Sequence, residues 1–226
     1  MSTDSLRSKP IVIIIVDDHQ VLTDALTIIL RSQPDLQVAG VAATCAATRE
    51  ALARTCPDVL LLDISLPDGD GLSLVPDVKR LCPETHVLVL TSASDEKTLM
   101  RAIDSGVNGF VMKTRPLSEV IGAIRQAAEG EIVMPTGLMH SLLGRMAQAR
   151  GTRADQPGSK PLTPREREIL TCLARGMSGP GIAAALNIAP LTAKTHIRNV
   201  LEKMGVHSRL EAVALALRHG LIEPPI

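Results

Sequence analysis

Ile-Val-Ile-Ile-Ile-Val-Asp-Asp, residues 11–18, is an apolar run that ends abruptly on two carboxylates. An unbroken β-branched run fits a strand buried on both faces; a strand with one wet face would alternate. Four further runs share this character: Leu36–Ala42, Val59–Leu62, Val87–Leu90 and Val107–Met112. Segments of helical periodicity begin near Gln20, Cys45, Leu72, Asp95 and Leu117. Strands and helices in alternation predict an α/β fold: a doubly wound, five-stranded parallel sheet covered by helices on both faces. Sheets of this kind bind ligands beyond the carboxyl ends of their strands.

The residues that terminate the runs therefore matter most. They are Asp17 and Asp18 after the first, Asp63 after the third, Thr91 after the fourth and Lys113 after the fifth. Three carboxylates converging without compensation would repel one another. A hard divalent cation relieves this, and Mg2+ suits a few carboxylates, a carbonyl and waters. With an ammonium from Lys113 and a hydroxyl from Thr91, the set fits a phosphoryl group: nucleophile, metal and charge neutralisation together. Taken alone, Asp17-Asp18 reads as a helix cap. Asp68-Gly-Asp-Gly71 lacks a calcium loop's terminal Glu and reads as turn chemistry around Pro67.

Composition narrows the classes. The 226 residues carry 24 Lys+Arg against 24 Asp+Glu, with 45% hydrophobic and 21% charged residues, a globular balance. The zero net charge hides an asymmetry: residues 1–130 hold 12 Lys/Arg and 17 Asp/Glu, residues 131–226 hold 12 and 7. A basic second half suits a nucleic-acid partner. Phe110 is the only aromatic residue, which excludes base-stacking platforms. Cys45, Cys56, Cys82 and Cys172 have no metal-site spacing and are expected to be reduced thiols. The polar N-terminus and the shortness of every apolar run predict a cytoplasmic protein with no membrane span.

Residues 161–226 contain no strand-like run. Thr163-Pro-Arg-Glu166 is a capping box opening a helix to about Arg175, and Ser208-Arg-Leu-Glu211 opens another to about His219. Between them a short helix near Pro180–Leu186 and a longer one near Pro190–Met204 read as a helix-turn-helix. On the longer helix Ala193, Ile197, Val200, Leu201 and Met204 share one face, and Lys194, Thr195, Arg198, Asn199 and Glu202 the other. Hydrogen-bond donors and cations on that face suit the major groove.

Two resemblances follow from these motifs. Ile-Val-Asp-Asp-His (15–19), Leu-Leu-Leu-Asp-Ile-Ser-Leu-Pro-Asp-Gly-Asp-Gly (60–71), Val-Leu-Thr (89–91) and Gly-Phe-Val-Met-Lys (109–113) resemble the receiver domain of two-component response regulators. The runs 162–170, 182–188 and 192–209 resemble the LuxR-type DNA-binding domain, so that the whole resembles the NarL/FixJ class. The resemblance implies that Asp63 accepts a phosphoryl group from a sensor histidine kinase. Asp17, Asp18, Asp63 and the Ser65 carbonyl would hold Mg2+, Lys113 would contact the phosphoryl group, and Thr91 and Phe110 would act as switch residues. It also implies base-edge contacts from Lys194, Thr195 and Arg198, a DNA contact from Asn199, and phosphate contacts from Thr163, Thr192 and Lys203. A homodimer would form through the last helix, with Val213 and Leu217 as its contacts.

Departures from the family pattern are Thr114 where Pro is frequent, Leu66 where Met is frequent, Ser178-Gly-Pro-Gly181 in the second helix, and Ala189 in place of a hydroxyl cap. The expected organisation is a receiver over 9–130, a linker with an amphipathic helix over 131–161, and a helix-turn-helix domain over 162–226. The expected function is a phosphorylation-regulated transcription factor, not an enzyme beyond Mg2+-dependent phosphorylation and dephosphorylation of its own Asp63. The rival reading is a phosphoryl-accepting signalling protein that acts through protein contacts without sequence-specific DNA binding.

Overall fold

A computed structural model describes residues 9–92, 96–134 and 161–223. The amphipathic helix expected over 136–150, and nearly all of the linker, lie outside these residues. The chain forms two compact units, residues 1–92 with 111–129 and residues 93–110 with 130–226.

The elements alternate as the apolar runs predict: β1 (Ile11–Val16), α1 (Gln20–Arg31), β2 (Leu36–Ala42), α2 (Cys45–Arg54), β3 (Val59–Asp63), α3 (Val75–Leu81), β4 (His86–Thr91), α4 (Glu96–Asp104), β5 (Gly109–Met112) and α5 (Leu117–Ala128). The sheet order is β2-β1-β3-β4-β5. That order reverses at β1/β3, the crevice where doubly wound sheets place their ligands. Pairing is parallel from β2 through β1 and β3 to β4. The central strands β1 and β3 are buried almost throughout. β2 differs: as an edge strand it turns Leu36, Val38 and Ala42 inward and Gln37, Ala39 and Val41 to solvent.

Helix α1 lays Thr23, Leu26 and Leu30 against the sheet, one stripe at helical spacing. The N-terminus of α2 is tied to the β3–α3 loop. Thr44 caps it by accepting from Ala47 N, and the Asp68 carboxylate accepts from Cys45 N at 2.7 Å and Ala46 N at 3.0 Å. These two N–H groups hold the Asp68 carboxyl below the ordinary carboxylate range. At the opposite ends of the two helices Cys56 and Cys82 form a disulfide, Cα–Cα 5.4 Å. The expectation of reduced thiols thus holds for buried Cys45 and Cys172 only. The pairing is invisible in sequence because it depends on two helices ending side by side.

Among the described residues the second unit takes in α4, α6 (Pro164–Ala174), α7 (Gly179–Ala185), α8 (Pro190–Met204) and α9 (Arg209–Arg218). The capping box at α6 is complete, Glu166 N donating to Thr163 Oγ1 at 3.3 Å and Thr163 N to Glu166 Oε2 at 2.7 Å. The one at α9 is altered. Ser208 Oγ accepts from Glu211 N at 3.0 Å, but the Glu211 carboxylate reaches one residue further back, to His207 N at 2.8 Å. Despite two glycines, α7 forms, with Ser178 as cap accepting from Gly181 N at 3.2 Å and Pro180 in its first turn. Ala189 gives α8 no side-chain cap. Among the described residues no helix is long and apolar enough to cross a membrane.

Candidate functional site

Strand register brings the expected residues to one edge. Asp63 ends β3 opposite Leu90, so Thr91 stands one step beyond it at the end of β4. Lys113 follows β5, and its N–H donates to Thr91 O at 2.8 Å, fixing one strand exit against the other. The bond between Lys113 and Thr114 is trans. Asp17 follows β1, its Oδ1 accepting from His19 N at 2.9 Å in a local turn.

The Lys113 ammonium lies 2.7 Å from Asp17 Oδ2 and 2.7 Å from Asp63 Oδ2. Burial on its own would pull this lysine's pKa down, but Asp17 and then Asp63 outweigh it and hold it above the ordinary value. Asp17 is fully buried as a side chain, Asp63 nearly so, and Asp18 is 37% exposed at the rim. Asp17 Oδ2 has its ion pair with Lys113 but no aligned hydrogen bond. One ligand atom each from Asp17, Asp18, His19 and Asp63 lie within 4.8 Å of one another. Three carboxylates against one ammonium leave negative charge that Lys113 does not neutralise, and such a cluster of hard oxygens fits a Mg2+ site.

Sequence reasoning missed two residues here. The His19 ring Nδ1 is 2.9 Å from Asp17 Oδ1 and 2.9 Å from Asp18 Oδ1, bridging the acidic pair. Gly71 is the other: a Cβ on it would collide with the Asp63 carbonyl oxygen, so only glycine lets the returning loop close by Gly71 N donating to Ile64 O at 2.7 Å. The first signal was adjacency to two aspartates; the second was one glycine among several. Phe110 is buried, its N–H donating to Val133 O at 2.7 Å.

In the second unit α8 buries Ala193, Ile197, Val200 and Met204 as expected, with Leu201 half-buried. Thr192, Lys194, Thr195 and Arg198 are exposed, and Asn199 is half-buried. The Thr195 hydroxyl donates to Leu191 O at 2.9 Å within the helix, and Arg198 Nε lies 3.5 Å from Glu202 Oε1. Leu191, exposed by 75% at the start of α8, was not singled out in sequence. Thr163 is exposed at the cap of α6.

Three expected residues stand elsewhere. Lys203 was expected near phosphates, but its ammonium lies 2.8 Å from each carboxylate oxygen of Glu166. It is committed to an internal pair because Glu166 is buried and needs a cation. Burial pushes the Glu166 carboxyl up, while Lys203 and the Thr163 N–H more than offset that and hold it low. Val213 and Leu217, expected as dimer contacts, are 1% and 0% exposed, so neither presents a surface. Their apolar character reflects core packing.

Residues 13–125 match the family model described as response regulator receiver domain, and residues 160–216 match bacterial regulatory proteins, luxR family. The response regulator protein VraR of Staphylococcus epidermidis is 34% identical over 214 residues, 93% of this chain and 98% of that one. A structure of the Salmonella typhimurium response regulator RcsB matches with TM-score 0.54 and 26% identity, covering 91% of this chain and 97% of that one. An RcsB–DNA complex matches in fold with TM-score 0.55 and 24% identity, covering 93% and 99%.

Proposed function

This chain belongs to the two-component response regulators that join a receiver to a LuxR-type DNA-binding domain, and from that membership we propose that Asp63 is its phosphoacceptor. It is a DNA-binding response regulator of a two-component system, and not a classical enzyme. The observation that carries the site assignment is the shared ammonium, 2.7 Å from both Asp17 and Asp63.

The donor is a phosphohistidine on a sensor histidine kinase. An Asp63 carboxylate oxygen attacks phosphorus, the P–N bond to the kinase imidazole breaks, and the imidazole leaves with its electron pair. Lys113, already against Asp63 Oδ2, neutralises charge on the transferred oxygens. Thr91 donates its hydroxyl to one of them and Phe110 repacks with it. Asp17, Asp18, Asp63 and the Ser65 carbonyl would hold Mg2+, which when bound supplies positive charge to the phosphoryl oxygens. Hydrolysis at the same carboxyl resets the site.

The receiver spans 9–130, a linker 131–161, and the DNA-binding domain 162–226. Helix α8 enters the major groove, with Lys194, Arg198 and Asn199 at base edges. Thr195 offers a methyl group and an acceptor oxygen there, and Thr163 and Thr192 reach phosphates. Phosphorylation favours a homodimer whose two recognition helices fit successive half-sites, and the protein works in the cytoplasm, where its DNA lies. The rival without DNA binding rested on the glycine-bearing α7, and that helix is formed and capped.

The test is acetyl phosphate labelling of full-length protein with Mg2+. Asp63→Asn is expected to lose all stable phosphoryl uptake while keeping its far-UV spectrum; labelling of that variant at the wild-type level refutes the assignment.

A further inference from the structure

Cys56 and Cys82 take no part in phosphoryl chemistry or DNA reading, yet their placement is specific. Cys56 comes two residues after α2, just ahead of β3, and Cys82 is the cap residue that ends α3, ahead of β4. Each sulfur sits over the end of the other helix. Cys56 Sγ is 3.6 Å from Leu81 O, and Cys82 Sγ is 3.9 Å from Leu52 O. Their Cα separation of 5.4 Å is in the range a disulfide spans without backbone movement.

The edge around them is laced by bonds that do not involve sulfur. Thr85 Oγ1 donates to Pro57 O at 2.5 Å, His86 N to Asp58 O at 2.9 Å, and Lys79 Nζ to Thr85 O at 3.1 Å. These contacts survive reduction and keep the two thiols facing each other, so ring closure competes well against an open mixed disulfide. The two sulfurs differ in access: Cys56 is exposed, and Cys82 is 3% exposed. Outside hyperthermophiles, disulfides within cells are usually transient and redox-responsive, so on the cytoplasmic location proposed above this pair is read as reversible.

We propose that Cys56 and Cys82 form a thiol–disulfide exchange site that reacts with small-molecule disulfides such as oxidised glutathione, with exposed Cys56 as the entry point. The Cys56 thiolate attacks one sulfur of glutathione disulfide. That S–S bond breaks and one glutathione thiolate leaves, taking a proton from solvent. Cys82 gives its proton to solvent and attacks the Cys56 sulfur, expelling the second glutathione. Two protein thiols are oxidised and one glutathione disulfide is reduced to two thiols; excess glutathione runs the sequence backwards. Closure staples α2 to α3 across a sequence separation of 26, a loop that includes β3 and Asp63. Since β3 and β4 run from these cysteines to Asp63 and Thr91 at the far edge, the bond governs stability and leaves the phosphorylation rate unaffected.

The full-length protein is equilibrated in glutathione buffers of stepped oxidised-to-reduced ratio, quenched with acid, alkylated and mapped by mass spectrometry. A Cys56–Cys82 cross-linked peptide rises with the oxidised fraction and vanishes when reduced glutathione is restored. The unfolding midpoint of the receiver moves up by several degrees on oxidation, with unchanged acetyl phosphate labelling. Cys82→Ser traps glutathione on Cys56, and Cys56→Ser leaves Cys82 unmodified. The proposal is overturned if both cysteines stay alkylatable under oxidising buffer, if the bond resists reduced glutathione, or if the two forms unfold at one temperature. Glutathione trapped on Cys82 in Cys56→Ser overturns the order of attack. The wild-type cross-link and midpoint decide the matter even where Cys82→Ser does not fold.

Discussion

Replacing Lys113 by Ala removes the one ammonium shared by Asp17 and Asp63. Each 2.7 Å contact is a charge-assisted interaction, worth about 1.5–3 kcal/mol where both groups are shielded from water. Breaking a buried pair by deleting one partner costs about 3–5 kcal/mol, because the remaining charge is left without compensation. Asp17 is fully buried and meets that description, whereas Asp63 keeps some access to water. The expected loss in EDTA is therefore near the lower bound, about 3 kcal/mol, or roughly 10 °C in the receiver's midpoint.

Magnesium reverses part of this. In the wild-type chain the ammonium already neutralises part of the charge that would draw a cation, so Lys113→Ala is expected to bind Mg2+ more tightly while losing stability without it. Ligand linkage then narrows the gap as MgCl2 is raised into the millimolar range. The assay is thermal unfolding of both chains in EDTA and in stepped MgCl2. Equal midpoints in EDTA, or a gap that widens with magnesium, would refute the reasoning. In the wild-type chain the raised pKa of Lys113 makes its stabilisation full at neutral pH and below. It is lost only as pH climbs past the ordinary lysine value through the raised one.

Glu166→Gln breaks the pair with Lys203 and is expected to destabilise the DNA-binding domain by about 1–3 kcal/mol in urea titration at pH 7. Because the folded Glu166 pKa lies below its unfolded value, the wild-type advantage is present above the ordinary glutamate range and fades as pH falls through the lowered value. Arg198→Ala is expected to weaken DNA binding by about 1–3 kcal/mol and to relax base preference, read by gel shift, with little change in the slope of affinity against salt. Lys203→Met is expected to leave that slope unchanged, since its charge is spent on Glu166; a flattened slope there would restore it to the phosphates. Gly71→Ala forces the loop away from the Asp63 carbonyl, and is expected to lower the receiver's stability by about 2 kcal/mol or more and to slow acetyl phosphate labelling.

Apolar runs ending on chemically useful residues located the sheet and its functional edge, because a buried parallel strand needs an unbroken run and ligand sites follow its exit. Boundaries moved where hydrogen-bond partners decide: the fourth strand gained His86 and Thr91, and the fifth begins at Gly109, not Val107. What stayed illegible were pairings between residues far apart in sequence. Lys203 looked like any exposed cation on a groove-facing helix, and nothing nearby signalled that a capping-box glutamate on another helix was buried beside it. Val213 and Leu217 carry the same apolar signature whether they face a core or a partner. The Cys56–Cys82 bond likewise depends on two helices ending together.

Three ties join α2 to α3 and the loop that follows Asp63: the Asp68 carboxylate on the first N–H groups of α2, the Arg49–Asp77 ion pair at 2.8 Å, and the disulfide at the far ends. One flank of Asp63 is thus braced from end to end, like a beam pinned at both ends and in the middle. On the other side Asp63 meets the Lys113 ammonium at 2.7 Å, and the Lys113 N–H holds Thr91 O at 2.8 Å. Charge added at the carboxylate would therefore act first on the Lys113 contact, which is electrostatic, and leave the covalent and hydrogen-bonded ties of the opposite flank in place.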